Sequence, residues 1–163
     1  MHRVRRVVKL PGKILIGLAA VFVAGQFIRP TRNEGERLGP NHISGVVPVP
    51  GEVETILQRA CYDCHSNRTN YPWYANVQPV AWWLADHVSH GKKDLNFSEF
   101  ATYPPKRAAH KLEEVADEVR KHQMPLRSYT RGHPEARLTD AERRTLIDWA
   151  ERGQRLIEER VER

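Results

Sequence analysis

The sequence predicts an all-α fold, with about four helices in one domain after an N-terminal apolar helix and a linker. Three observations predict it. Apolar residues recur at spacings of three and four in windows that begin near Gly51, Pro79, Lys106 and Thr139. No run alternates apolar and polar residues for long enough to make a convincing strand. Stretches containing Pro, Gly and Asn separate the helical windows. A chain of 163 residues, 40% hydrophobic and 28% charged, is of a size to bury one core. The expected division is an N-terminal helix over residues 1–28, a linker over 29–50 and a helical domain over 51–157.

The N-terminal element is justified by charge and hydropathy together. Arg3, Arg5, Arg6, Lys9 and Lys13 come first, with no acid among them, and the apolar run Ile14–Gly25 follows. A basic head before an apolar run is the form of an export signal or a signal anchor. The run from Ile14 to Ile28 is short of the roughly 20 residues that a span needs. Snorkelling of Lys9 and Lys13 admits Val7, Val8 and Leu10 and lengthens it to Val7–Ile28. Val23-Ala24-Gly25 offers a cleavage site, but Gln26-Phe27-Ile28 extends the apolar stretch past it, so an uncleaved anchor is the expectation. A buried core helix is the third reading, and the acid-free basic head counts against it. The Lys/Arg bias keeps the N-terminus cytoplasmic and sends the rest outward. These five cations also carry most of the net charge of +6. What remains is nearly neutral and holds no basic stripe with interleaved aromatics, so nucleic acid is excluded as a partner.

Residues 29–50 mix Pro, Gly, Asn and charge without a period and read as a linker. Val46-Val-Pro-Val-Pro50 is extended, because each proline biases its predecessor away from helix. The first domain helix follows from Val53, Ile56, Leu57, Ala60 and Cys64, all on one face. Ser66–Tyr74 is a turn region around Pro72. Pro79 opens the second helix, which passes Trp82, Trp83, Leu84, His87 and Val88 and stops at Gly91. Leu95–Pro105 is irregular, with a turn of helix at Asn96–Phe100. The third helix starts at Lys106, aligns Ala108, Leu112, Val115, Ala116 and Val119, and ends before Gln123-Met124-Pro125. Thr139 and Glu142 form a capping box for a last helix whose inner face carries Leu146, Trp149, Ala150, Gly153, Leu156 and Ile157. Its final turns at Glu158-Glu159-Arg160 fray.

Cys61-Tyr62-Asp63-Cys64-His65 closes the first helix and uses both cysteines of the chain. This is the C-x-x-C-H pattern of covalent haem c attachment. Each thiol adds to a haem vinyl group, and the next imidazole reaches the iron as proximal ligand. Two intervening residues let one helical turn present both sulfurs along a porphyrin edge. Three rival readings remain. A redox-active dithiol suits a βαβ setting, which the flanks do not show. A zinc site needs about four ligands and a second close pair. A plain disulfide across the short loop is the third. Haem fits best, and export agrees with it, since c-type haem is attached outside the bacterial inner membrane in the commonest systems.

The second axial ligand decides the chemistry of an iron held by His65. The candidates are Met124, His87, His90, His110, His122 and His133. Met124 is the only methionine besides the initiator. It precedes a proline in a loop between two helices, where a thioether can be held at iron. Methionine also fills cores, but Gln123-Met124-Pro125 is not an apolar helix face. His87, on the Trp-rich helix, is the best histidine alternative, and an open position is the third. Trp73, Trp82 and Trp83 could wall a haem crevice or serve as core anchors, while Trp149 packs against the first helix. Tyr103 and Arg127 are candidates for the propionates.

Cys61-Tyr-Asp-Cys-His-Ser-Asn67, Tyr71-Pro-Trp-Tyr74, Leu95-Asn-Phe-Ser98, Met124-Pro-Leu126 and Leu138-Thr-Asp-Ala-Glu142 with Trp149 occur in that order. Over about Val46 to Ala150 the chain resembles the bacterial haem-binding domain family of short membrane-anchored c-type cytochromes. More loosely it resembles class I cytochrome c. That resemblance implies a cytochrome c-like helical domain, first and last helices that cross, and His65 with Met124 as the axial pair. The 66–123 stretch is longer than in a minimal cytochrome, so a different scaffold places Met124. The expected function is one-electron transfer by one haem c per chain, with redox proteins as partners and no small-molecule substrate. The expected location is the periplasmic face of the inner membrane, single-pass. The alternative is a haem-based redox or gas sensor, in which the weak Met leaves the iron. No acid/base pair marks an enzyme, though weak peroxidase activity is compatible.

Overall fold

The computed structural model describes residues 11–163. Arg3, Arg5, Arg6, Lys9 and the start of the expected Val7–Ile28 span lie outside the described residues. The fold is all-α: among the described residues the only strand-like pairing is an isolated bridge between Glu34 and Arg68. The chain divides into two compact units. One runs through Thr31 and includes Tyr71–Ala85; the other joins Arg32–Asn70 to Asp86–Arg163.

In the first unit, α1 covers Gly12–Gly25. Its side chains are exposed, Ile16 at 72% and Val21 at 71%. The helix does not continue to Ile28. Gln26 turns its side chain away, donating to the Phe22 carbonyl at 3.0 Å and accepting from the Gln78 backbone N–H at 2.9 Å. Fourteen helical residues rise about 21 Å, against a hydrocarbon core of about 30 Å. Among the described residues no helix is long and apolar enough to cross a membrane.

In the second unit, α2 covers Gly51–Ala60 and buries Val53, Ile56, Leu57 and Ala60, as the spacing requires. At Cys61 the backbone leaves the helix (φ −128°), and Tyr62–His65 form a separate turn, α3. α4 covers Val80–Asp94, its residues from Asp86 onward belonging to this unit, so Gly91 does not stop it. A Cβ at Gly91 would stand 2.7 Å from the Cys64 carbonyl oxygen, so the missing side chain lets α4 approach the cysteine turn. The turn of helix expected at Asn96–Phe100 is a 3₁₀ segment at Phe97–Thr102, which buries Phe97 and Phe100.

α5 covers Pro105–Arg120, with Pro105 at its first turn where no N–H is missed. α7 covers Asp140–Val161 behind the expected capping box. It stays helical through Glu158–Arg160, which does not fray as expected. α5 and α7 form the principal helix pair. At Gly153 a Cβ would meet Leu112 Cδ1 at 2.8 Å, so that glycine sets how closely the pair packs. The short α6, Arg127–Gly132, lies between them in sequence and was not expected.

The stretch read as a linker is part of the core over its second half. Ile43 and Val47 are buried with Leu57, Leu112 and Trp149. The Trp149 indole N–H donates to the Pro48 carbonyl at 2.9 Å. Proline-rich composition hid this, because the segment contributes single apolar residues without a helical or strand period.

Candidate cofactor site around Cys61–His65

The site is built where the α2–α3 break meets the end of α4 and the loop after α5. Tyr62, fully buried, fixes the break. Its hydroxyl donates to Glu54 at 2.7 Å and contacts His42 Nε2 at 3.1 Å, and its ring meets Phe97 edge-on at 5.6 Å. Asp63, between the cysteines, accepts from the Tyr129 hydroxyl at 2.9 Å and from the Asn70 N–H at 3.0 Å. Tyr129 sits on α6, so this bond ties the Met124 loop to the cysteine turn.

Ser66-Asn67 and Asn96–Glu99 are joined by polar contacts. The Asn67 N–H donates to Ser98 Oγ at 3.0 Å, Asn67 Nδ2 donates to Glu99 at 2.6 Å, and Asn96 Nδ2 donates to Asn67 Oδ1 at 2.8 Å. Two of the separated sequence motifs thus form one network that holds the turn.

His65 is held in one orientation. Its Nδ1 lies 2.9 Å from the Gly91 carbonyl and 3.1 Å from the Leu95 carbonyl. Both are acceptors, so Nδ1 carries the proton and Nε2 presents a lone pair. Burial lowers the His65 pKa, opposed by the two carbonyls and by Asp94. The ring is therefore neutral at neutral pH, as a metal-binding imidazole must be.

Two hollows open beside it. One, about 210 Å³, is lined by Cys61, Cys64, His65, His87, Met124 and Tyr129 among others. The second, about 340 Å³, is lined by Cys61, His65, Leu95, Val115, Met124 and Leu146 among others. Cys61, His65 and Met124 line both. Cys61, Cys64, His65, Met124 and His87 are thus brought to one place, and Met124 and His87 share the first hollow. His90 lines it too, but its Nδ1 is engaged by the Asp86 carbonyl and carboxylate, at 2.9 and 3.3 Å. His110 pairs with Glu113 and Glu114 on the exposed face of α5. His122 is exposed and adopts φ 57° at the end of α5. His133 stacks on Tyr129 at 4.2 Å. None of these three lines either hollow.

The aromatic expectations fare differently. Trp73, Trp82 and Trp83 line neither hollow and are exposed at 78%, 40% and 46%. Trp149 is a core residue, clustered with Val53, Ile56 and Leu57 of α2 among others and tied by its indole N–H to the Pro48 carbonyl. Tyr103 turns its hydroxyl to the Asn96 N–H at 2.9 Å, under the Arg107 guanidinium, and Arg127 is exposed. Neither lines the hollows. Sequence reasoning missed Tyr129 and Gly91, whose roles depend on pairing with Asp63 and Cys64 across the fold.

The thiols discriminate among the chemistries. Both cysteines are free, so they are not a disulfide. Burial pushes Cys61 up to about 12, helped by Cys64, and Cys64 up to about 11, helped by Asp63. A dithiol poised for exchange needs the opposite shift. Among the described residues no group of three or more His, Cys, Asp or Glu is placed to hold a metal ion, so the zinc reading gains no support. A haem fits. Neutral thiols flank a largely apolar hollow, the oriented His65 imidazole faces it, and a thioether shares its wall.

The family model described as a haem-binding domain matches residues 20–152. No curated protein and no solved structure matches the chain.

Proposed function

The chain belongs to the haem-binding domain family, and from that premise we propose that it is a membrane-anchored monohaem c-type cytochrome that carries single electrons outside the bacterial inner membrane. One observation carries the reading: His65, oriented by the Gly91 and Leu95 carbonyls, lines the same hollow as Cys61, Cys64 and Met124. Cys61 and Cys64 would hold the haem through thioether bonds, and His65 Nε2 and the Met124 thioether would ligate its iron. A haem bound there supplies an iron that cycles between ferric and ferrous states. The protein's part is to fix the ligands and to keep water out with Ala60, Leu95, Phe97, Val115, Val119 and Leu146. A methionine ligand raises the potential relative to two histidines.

The rim carries Asp86, Asp94, Glu114 and Glu118 against Lys111. This favours a redox partner with a basic face, met through a small transient interface. The exposed apolar surface of α1 supports the anchor, with the basic head outside the described residues completing it. The reading has no substrate turnover in it.

Two measurements test it. Protein made with haem c maturation should give a pyridine haemochrome spectrum with pigment that resists acid–acetone. Extractable pigment with both thiols still titratable would sink the proposal. Met124→Ala should remove the weak long-wavelength band that marks thioether sulfur on ferric iron; a ferric spectrum that lacks the band before the substitution and is unchanged by it transfers the role to His87.

A further inference from the structure

The Trp-rich segment plays no part in the site described above, and its composition is unlike the rest of the chain. Tyr71–Ala85 contains no Asp, Glu, Lys, Arg or His, in a protein in which 28% of residues are charged. It nevertheless exposes Trp73 at 78%, Trp82 at 40%, Trp83 at 46% and Val77 at 37%. Large uncharged aromatic surface in water is unfavourable and marks a surface that something covers.

The segment is fastened to the end of α1. The Trp82 indole N–H donates to the Ile28 carbonyl at 2.8 Å. Gln78 Nε2 donates to the same carbonyl at 2.9 Å, and Arg29 donates to the Asn76 carbonyl at 3.0 Å. The Trp82 ring lies against Gly25, where a Cβ would stand 3.5 Å from it. Beside these contacts Phe27 and Ile28 are exposed at 82% and 66%. The aromatic surface is therefore continuous with the exposed apolar surface of α1, within one compact unit.

We propose that Trp73, Trp82 and Trp83, with Phe27 and Ile28, form an aromatic belt that seats in the headgroup zone of the bilayer at the C-terminal end of α1. Trp combines a large apolar ring with one N–H donor, the combination that concentrates at membrane–water interfaces. The absence of charge across Tyr71–Ala85 suits lipid better than a soluble partner, whose docking surface ordinarily carries a polar rim. The belt also makes up for a short helix: side chains that lodge at the interface hold α1 at a fixed depth. This inference rests on the anchor reading of α1.

The test uses the full haem-loaded chain with vesicles of phosphatidylethanolamine and phosphatidylglycerol. Some of the lipid carries bromine either near the headgroup or deep in the acyl chains. Flotation reports association, and quenching of tryptophan fluorescence reports depth. Energy transfer to haem is the same in all vesicles and cancels in the comparison. Trp149, 3% exposed, is an internal reference that neither lipid should reach.

The belt requires quenching by shallow bromine to exceed quenching by deep bromine. It also requires a loss of that shallow component in Trp73→Phe, Trp82→Phe and Trp83→Phe. Chain that floats with no quenching, or with quenching strongest by the deep label, overturns the belt and leaves the anchor standing. Chain that does not float overturns both.

Discussion

Tyr129 shows how much of the site depends on single side chains that bind nothing themselves. Its hydroxyl reaches Asp63 at 2.9 Å, and burial with the nearby Asp63 charge pushes its ionisation up, so it stays a donor. Tyr129→Phe removes the bond and keeps the ring. A hydrogen bond to a carboxylate contributes about 1.5–3 kcal/mol, so the urea midpoint should fall. Haem attachment should persist while the long-wavelength ferric band weakens as the Met124 loop loosens. An unaltered band would mean that the loop is held elsewhere.

His42 gives a second residue-scale prediction. Burial lowers its pKa from the ordinary 6.5, opposed by Glu54. The folded domain thus holds the ring neutral, while the unfolded chain takes up a proton first as pH falls. Stability is full above pH 6.5 and declines as pH drops from there toward the folded value. His42→Gln should flatten that slope, measured by urea denaturation at neutral pH and near pH 5.

At the scale of elements, Gly91 is decisive. Alanine there favours helix by about 1 kcal/mol. Its Cβ would meet the Cys64 carbonyl oxygen at 2.7 Å, however, and backbone on both sides can yield only if α4 shifts. Overpacking of this kind costs about 1–3 kcal/mol, so the clash wins. Gly91→Ala should lower both stability and the yield of covalently attached haem, read from denaturation curves and pigment-to-protein ratio. The same residue shows where the sequence was misleading. A glycine late in an amphipathic window reads as a stop signal, and no glycine in the described residues has positive φ. Its purpose is set by Cys64, a neighbour that only folding supplies.

Elements whose cause is local were legible. α2, α5 and α7 follow their apolar spacing, except that Leu156, expected on the inner face of α7, is exposed, and the capping box at Thr139 forms as read. The end of α5 is set by His122, whose left-handed φ of 57° turns the chain toward Met124. Only a few per cent of non-glycine residues adopt that conformation, and histidine's enrichment there is too weak to mark a position, so the turn left little signal. The α6 helix and the buried Ile43 and Val47 owe their structure to tertiary contacts and carry no period of their own. Of the residues that line the hollow beside the cysteine turn, Cys61, Cys64, His65, Met124 and His87 stood out by residue type and spacing. The carbonyls that orient His65 did not, because any residue can supply a carbonyl.

For the molecule as a whole, a hollow walled by the core residues Phe97, Val119 and Leu146 predicts that a haem seated there would be part of the fold. A group that binds only the native state adds to its stability. Chain made without haem maturation should therefore unfold at lower urea and bind apolar dyes more readily. Equal midpoints with and without haem would place the group outside the core.

The hydrogen bond from Trp149 to the Pro48 carbonyl spans 101 positions of sequence and has a consequence in time. A chain made from its N-terminus presents Ile43 and Val47 well before α7 exists to cover them. The segment ahead of the cysteines therefore stays accessible to proteases and chaperones until synthesis is nearly complete, and a nonsense mutation that removes only α7 unseats residues laid down first.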